Sequence, residues 1–469
     1  MSAGPDRGRP GVHSSRRGAG VVVLMALSAA LLFFDFGARV LSTNDETRFP
    51  LMARDILARG HWLLPEIHGA PMLNKPPLHA WLIALAAWPT GAVTQRTAVL
   101  PSLLAGLALV AGTYWIGRRV FDVEVGLTAG LIAVTTAGVF SLARSPVPDM
   151  TLSLALVAAM GAFVAAEFGG RPGALVAFYL LVGIAFWSKG PVGLLPLAIA
   201  VIYEIATYGW TGPWRLASRA GLALLGLAVV TWSGLALGVG RGTMVAEVVI
   251  NDYGAYFTAG SSVWRGLFEP FAHALTILLP WSLLLPIALG WALLAVEPAR
   301  QPGTRLALVW ATVVFVAVAL SHRQRWRYYL PLCAPVALLL AAWVRDLRWR
   351  WRTRAFAVGW IVVAVGLAVG QTALTARQNR ATDWRAIAEE TGRISGPLFA
   401  LEAPELVFEF YLGLPVRVAP DYQTFAQRPE ARYLLAPDRS VSRFPASARM
   451  RAIAGGLIAG RRFVLLIRE

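Results

Sequence analysis

Cysteine is almost missing from this chain. Its 469 residues include one, Cys333, so no disulfide can close within it. Cys333 lies in an apolar run and reads as an inert packed thiol. Histidine is scarce, with six residues, no HExxH pair and no Cys/His cluster, so there is no zinc signature. No P-loop is present, and no GxGxxG follows a strand-like segment, which excludes a soluble nucleotide fold from the apolar part. Charge is sparse at 15% of residues. Lysine is the rarest cation: of 43 basic residues only Lys75 and Lys189 are lysines.

What is abundant is apolar sequence. The chain is 57% hydrophobic, and runs of about 17–25 apolar residues recur through most of it, the length that crosses a bilayer as helix. The reading is an all-α polytopic membrane protein with about eleven spans. They fall near 20–41, 97–117, 124–143, 150–168, 173–188, 190–208, 220–240, 273–296, 305–321, 328–344 and 355–375. The first lacks a small-residue cleavage site and reads as a retained span. Leu78–Trp88 is too short to cross and reads as an interfacial or re-entrant helix.

Charge tests this count. The formal net charge is +17, but the arginines lie mostly between apolar runs, so membrane orientation explains them better than nucleic acid does. With a cytoplasmic N-terminus every inside loop is basic. Those loops carry Arg7 to Arg17, Arg118 with Arg119, Arg171, Arg215 with Arg219, Arg300 with Arg305, and Arg345 to Arg354. Asp45, Lys75, Asp149, Lys189 and the tail then fall on the outer face of the cell's inner, or plasma, membrane. One outer loop breaks the rule: "SHRQRWRYYLP" packs His322, Arg323, Arg325 and Arg327 together. It reads either as a headgroup contact or as an anion site, since guanidinium groups bind phosphate in a bidentate way. Both lysines sit beside proline, in "NKPPL" and "SKGPVG". An ammonium on a flexible stem is a movable point charge suited to phosphate.

The first outer loop is "STNDETRFPLMARDILARGHWLLPEIHGAPMLNKPPLHAW". Pro50 is tolerated in a first helical turn, so a helix is expected from about Arg48 to Arg59, with Thr47 as N-cap and Gly60 as its stop. Phe49, Met52, Ala53, Ile56 and Leu57 share one face, as in an amphipathic helix lying on the membrane. Asp45 and Glu46 beside a bilayer edge are disfavoured unless paired or used. They read either as a partner of Arg48 and the helix dipole or as a general base.

This loop resembles the signature loop of the GT-C fold glycosyltransferases that use polyprenyl-phosphate sugars, among them the bacterial aminoarabinose transferases of lipid A and the protein O-mannosyltransferases. Their pattern is approximately Asp-Glu-x-Arg-Tyr, a helix, Gly-Asp-Trp, then Lys-Pro-Pro-Leu. "LARSPVPDMTLSL" (Leu142–Leu154), "SKGPVGLLP" (Ser188–Pro196), "LLPWSLLLP" (Leu278–Pro286) and "RYYLPLCAP" (Arg327–Pro335) follow in the same order. The resemblance covers roughly residues 20–375. It departs at Phe49, where the aminoarabinose enzymes usually have Tyr, at Asn74 before Lys-Pro-Pro, and at His61 before Trp62. The last two replace acids, which weakens a metal site built on them and the claim to the aminoarabinose sugar.

The resemblance implies a sugar carried on a polyprenyl phosphate and moved to an acceptor outside the cytoplasm. The acceptor stays open among lipid A, another glycan or lipid, and protein. Asp45, Glu46 and Asp149 are the candidate catalytic acids. Lys75, Arg48, Arg323, Arg325, Arg327 and Tyr328 are the candidate substrate-binding residues. No metal ligand is assigned, and a divalent metal stays open as a cofactor. Asp149 also reads as a plain N-cap, Tyr328 as an aromatic-belt residue, and Lys189 as structure or lipid contact. Asp35 reads as a snorkelling or paired acid, and Glu247, Asn251 and Asp252 as part of a capping loop. A lipid-linked sugar flippase, a transporter or a glycan polymerase is the alternative, although no internal repeat supports a transporter.

The expected division is a cytoplasmic tail at 1–19, a transmembrane transferase domain at 20–375 with the outer loop 42–81, and a small α/β extracytoplasmic domain at 376–469. In that tail "GPLFAL", "LPVRVA", "RYLLAP" and "RFVLLIRE" read as strands, and "DWRAIAEETG" and "APELVFEFYLG" as helices.

Overall fold

The structure is a computed structural model. It describes residues 11–171, 173–239, 263–294, 301–321, 324–347, 352–445 and 449–469. His322, Arg323, Glu247, Asn251, Asp252 and most of the expected N-terminal tail lie outside the described residues.

The chain is mostly helical. Among the described residues, seven helical runs are long and apolar enough to cross a bilayer: Gln95–Val120, Pro148–Glu167, Gly173–Leu216, Arg219–Val239, Pro302–Ala319, Trp326–Asp346 and Thr353–Arg380. Gly18–Phe33, Leu78–Ala87, Val123–Val134 and Leu285–Leu294 are shorter apolar helices. In chain order the first ten helices are α1 (Gly11–Phe33), α2 (Asn44–Arg59), α3 (Leu78–Ala87), α4 (Gln95–Val120), α5 (Val123–Val134), α6 (Ala137–Leu142), α7 (Pro148–Glu167), α8 (Gly173–Lys189), α9 (Leu195–Tyr208) and α10 (Arg219–Val239).

The breaks have local causes. The run from 173 to 216 folds back at Gly190, whose φ of 71° suits glycine. A 3-10 turn, Gly190–Leu194, follows. A Cβ on Gly193 would meet the carbonyl carbon of Ala185 at 2.2 Å, so only glycine lets the chain reverse this closely. Pro196 then opens α9, where its missing N–H is tolerated. The expected span 273–296 is not one helix. It divides into Val263–Ile277 and Leu285–Leu294, with a 3-10 turn at Trp281–Leu283, because Pro280 and Pro286 cannot continue an α-helical ladder. The expected span 124–143 likewise divides into α5 and α6 at Thr135 and Thr136.

The chain forms two compact units. The first holds Met1–Phe34, Leu103–Ala143 and Asp149–Leu367. In it α5 packs on the helix Cys333–Asp346, and α8 on α10. Asp122 caps α5 by accepting from Val125 N at 2.9 Å.

The second unit holds Asp35–Ser102, Arg144–Pro148 and Ala368–Glu469. A short hairpin, β1 (Glu66–Ile67) with β2 (Ala70–Pro71), precedes a five-stranded sheet of β3 (Leu398–Ala400), β4 (Val416–Val418), β5 (Tyr433–Pro437), β6 (Met450–Ile458) and β7 (Arg461–Arg468). The sheet order is β4-β3-β5-β7-β6. β3 runs parallel to β4 and β5, while β7 is antiparallel to β5 and β6. Both faces of the sheet are covered. Leu398, Leu435 and Leu465 pack with Val407 and Phe408 on one side, and Phe399, Leu434 and Leu466 with Phe425 on the other. Two covered faces explain why the β5 sequence YLLAP is continuously apolar and buried. β6 is not legible in the sequence because its Ala and Gly residues carry little strand signal.

Candidate active site

In the second unit the site begins at α2. The helix starts four residues earlier than its sequence suggests, at Asn44, and its N-cap is Thr43 rather than Thr47. The reason is a capping box. Thr43 Oγ1 accepts from Glu46 N at 3.3 Å, and Glu46 Oε2 accepts from Ser42 N at 3.1 Å and Thr43 Oγ1 at 3.2 Å. Arg39 also pairs with Glu46 Oε1. Asp45 and Glu46 are therefore first-turn residues of the helix, where negative charge is favoured. Gly60 ends α2 as expected, in the left-handed region, with its N–H on Ile56 O at 2.9 Å.

The apolar face of α2 does not lie in a membrane. Phe49, Met52, Ala53 and Ile56 are buried against Ala80, Ile83, Ala84 and Ala87 of α3 and against Leu406 and Phe410 of the helix Glu405–Leu412. Burying one such large side chain contributes about 1.5–3 kcal/mol. Arg54 ties the same helix down, donating to Phe410 O at 2.7 Å. Burial holds its pKa below the usual guanidinium value, opposed by Glu409. Asn44 donates to Glu405 at 2.9 Å and accepts from Leu406 N at 3.2 Å. Tyr411 Oη accepts from Leu41 N at 2.7 Å and Gln95 Nε2 at 2.6 Å. His68 meets Glu409 Oε2 at 2.8 Å, and that hydrogen bond raises the histidine pKa above its ordinary value. The segment around α2 and α3 and the C-terminal tail are thus one packed body.

Asp45 is left at the rim. Its side chain is 26% exposed, and Arg48 Nη1 approaches Oδ1 at 3.4 Å. Lys75 is half-buried in the turn that leads into α3. Beside it, Asn74 Oδ1 is buried with no hydrogen-bond partner among the described residues. Arg144, in the LARSPVPDM stretch, has no role that its sequence alone suggests. It is 5% exposed, and burial pushes its pKa down to about 10, with Asp35 acting the other way.

Asp55, His61 and Glu66 bring ligand atoms within 4.8 Å of one another and could hold a cation. The chemistry already present argues for an ionic lock. Asp55 Oδ2 meets His61 Nδ1 at 3.0 Å and Glu66 N at 2.7 Å. Arg59 Nη1 lies 3.5 Å from Asp55 and 3.6 Å from Glu66. A guanidinium thus supplies the positive charge that a metal would bring.

In the first unit, three distant segments meet at the start of α7. Pro148 occupies the first helical position and Asp149 the next, as expected for the start of a span. The Asp149 side chain is 3% exposed. Lys189, the last residue of α8, donates to its Oδ1 at 2.5 Å. Arg327, on the 3-10 turn Trp326–Leu332, places Nε 3.9 Å from Oδ2. The Tyr328 ring lies 4.3 Å from Lys189 Nζ and 5.8 Å from Arg327 Cζ. Arg325 is exposed. Lys189, expected as structure or lipid contact, stands in the same cluster as Asp149, Arg327 and Tyr328. The rarity of lysine is the sequence signal for it.

Comparison with known proteins agrees with the sequence resemblance. A family model described as dolichyl-phosphate-mannose-protein mannosyltransferase matches residues 74–233. The chain is 30% identical over 362 residues to undecaprenyl phosphate-alpha-4-amino-4-deoxy-L-arabinose arabinosyl transferase 1 of Sodalis glossinidius, covering 72% of this chain and 62% of that one. It therefore spans less than two thirds of that relative's length. The crystal structure of ArnT from Cupriavidus metallidurans bound to undecaprenyl phosphate matches with a TM-score of 0.78 at 19% identity, over 96% of this chain and 98% of that one. The archaeal oligosaccharyltransferase AglB from Archaeoglobus fulgidus, in complex with an inhibitory peptide and a dolichol-phosphate, matches at 0.58 and 14% identity, over 92% and 70%. The chain has the fold of ArnT along nearly its whole length, and its resemblance to the polyprenyl-phosphate sugar transferases holds in sequence and in fold.

Proposed function

We propose that the protein is an integral-membrane glycosyltransferase that moves a sugar from a polyprenyl phosphate to an extracytoplasmic acceptor. The observation that carries this reading is the near full-length fold match to a protein crystallised with undecaprenyl phosphate. In the reaction the bond from the sugar C1 to the phosphate oxygen breaks. A bond from C1 to the acceptor oxygen forms, and the acceptor proton goes to a base. Asp45 is that base, partly exposed and next to a cation. Lys75 and Arg48 neutralise the phosphate as it leaves, since a lipid phosphate needs charge stabilisation more than a proton. Glu46 positions Asp45, because its own carboxylate is committed to the capping box and Arg39.

Within the membrane unit taken by itself, Arg325, Arg327 and Tyr328 form a basic cluster suited to an anionic headgroup. Asp149, clamped by Lys189, fixes the direction of Arg327. Arg323 belongs to the same loop by sequence.

The topology goes with this reading. Among the described residues, seven helical runs are long and apolar enough to cross, and the shorter apolar helices beside them leave room for the eleven spans proposed from charge. The N-terminus is then cytoplasmic. The sheet-bearing tail lies outside the inner membrane as an α/β domain and supports the first outer loop. Release of free polyprenyl phosphate that requires added acceptor tests the reading. A flippase releases none, whatever acceptor is present.

A further inference from the structure

A second polar cluster lies at the other end of α7. Asp149 and Glu167 stand eighteen residues apart on that helix, about 27 Å at the helical rise. A cavity of about 310 Å³ opens there, lined by Glu167, Glu204 and Arg215 with Phe163, Leu175 and Leu216. Glu204 sits on the apolar helix α9 and is fully buried. Its Oε2 lies 3.1 Å from Arg215 Nε as an ion pair, but neither of its oxygens has a well-formed hydrogen bond among the described residues. Both oxygens of Glu167 are engaged, one by Tyr208 Oη and the other by Arg215 Nη2 at 2.9 Å. One guanidinium thus serves two carboxylates. It is half exposed and rests over the Tyr208 ring at 4.2 Å.

A buried carboxylate oxygen without a donor is strongly disfavoured. The missing partner is a donor, and a cationic one compensates the second carboxylate as well. The volume exceeds the share of a single water, about 30 Å³, several-fold. The depth is marked by Trp210 and Trp214 on the same 3-10 turn as Arg215, which are 86% and 77% exposed. Exposed tryptophans at the end of a span belong at the headgroup level of a bilayer.

We propose that this cavity binds an ammonium group joined to a phosphate ester, the headgroup of an aminophospholipid. The ammonium donates to Glu204 Oε1, and Arg215 faces the phosphate. Phosphatidylethanolamine supplies three N–H donors, phosphatidylcholine none, and phosphatidylglycerol no cation. With a cytoplasmic N-terminus this is the cytoplasmic leaflet, but the binding itself does not depend on the transfer reaction.

The test is native mass spectrometry of the full chain, released from detergent with equal amounts of phosphatidylethanolamine, phosphatidylcholine and phosphatidylglycerol. The wild type is expected to retain phosphatidylethanolamine roughly tenfold over the other two, the worth of one charge-assisted contact. Glu204→Gln and Leu175→Trp, which fills the space without touching a charge, are each expected to abolish the preference. If Glu204→Gln fails to fold, Leu175→Trp decides. Binding of O-phosphoethanolamine without retention of the lipid would keep the site and assign it to a soluble headgroup. Equal retention of all three lipids, or a preference unchanged in Leu175→Trp, overturns the proposal.

Discussion

The two acid centres of this protein are built in opposite ways. Asp45 is placed by its own neighbours: Thr43 and Glu46 form the capping box, Arg48 follows one turn later, and the carboxylate stays at the rim. Asp149 is placed by residues 40 and 178 positions away in the chain, Lys189 and Arg327, and is almost fully buried. A local centre leaves its signature in consecutive residues and keeps its acid accessible for proton transfer. An assembled, buried centre holds a charge in place, and removing one member strands the others.

The largest expected effect tests that contrast directly. Among the described residues, Lys189→Met leaves buried Asp149 with the longer contact to Arg327, and should destabilise the protein by about 3 kcal/mol. Adding Asp149→Asn should restore most of that stability. Chemical unfolding of the two single variants and the double variant in micelles gives the coupling. Simple additivity would mean the pair is not a unit.

Asp45→Asn is expected to behave in the reverse manner. Transfer should fall about a hundredfold or more, while stability should fall by about 1 kcal/mol or less, as for a partly exposed ion pair. A large loss of stability with activity retained per folded molecule would make Asp45 a structural residue.

Glu46→Gln separates the neighbours. It weakens the capping box and leaves Arg39 without its anion, so a stability loss of about 1–2 kcal/mol is expected. Its activity loss should be smaller than that of Asp45→Asn in the same assay.

The smallest effect concerns how the first loop and the tail are held. The hydrogen bond to Glu409 raises the His68 pKa, so the protonated ring is favoured in the folded state. Its contribution is full below about pH 6.5, the ordinary histidine value, and fades as pH rises through the raised one. The contact is partly solvated, so about 1 kcal/mol or less is at stake. Thermal melts of wild type and His68→Gln across that range should converge at high pH and separate at low pH.

The same contrast explains what is legible in the sequence. The long apolar helices, the Gly60 stop, the start of α7 and four strands of the sheet are written in local patterns of hydropathy, proline and glycine. So is the first-loop motif. The capping box is visible as Thr43-x-x-Glu46, but Pro50, read as a first-turn marker, moves the expected start too far. The membrane-facing reading of α2 fails because an apolar face says only that it is buried, not against what. Here it meets α3 and the helix Glu405–Leu412, more than 340 residues later in the chain. The particular partner of Lys189 is hidden for the same reason: Asp149 is distant in sequence, and only the rarity of lysine marks the position. The break at Leu278–Pro286 is visible as prolines, yet hydropathy alone runs through it as one span.

Transfer from a polyprenyl-phosphate sugar is the central claim. The most direct measurement offers radiolabelled sugars on a panel of polyprenyl phosphates to envelope fractions, with wild type, Asp45→Asn and Lys75→Ala at matched folded amounts. Wild type is expected to move label from one donor into an extracytoplasmic acceptor, and both variants to lose about a hundredfold or more of that activity. Robust transfer by both variants, or no transfer from any donor while labelled lipid crosses liposome membranes, would contradict it.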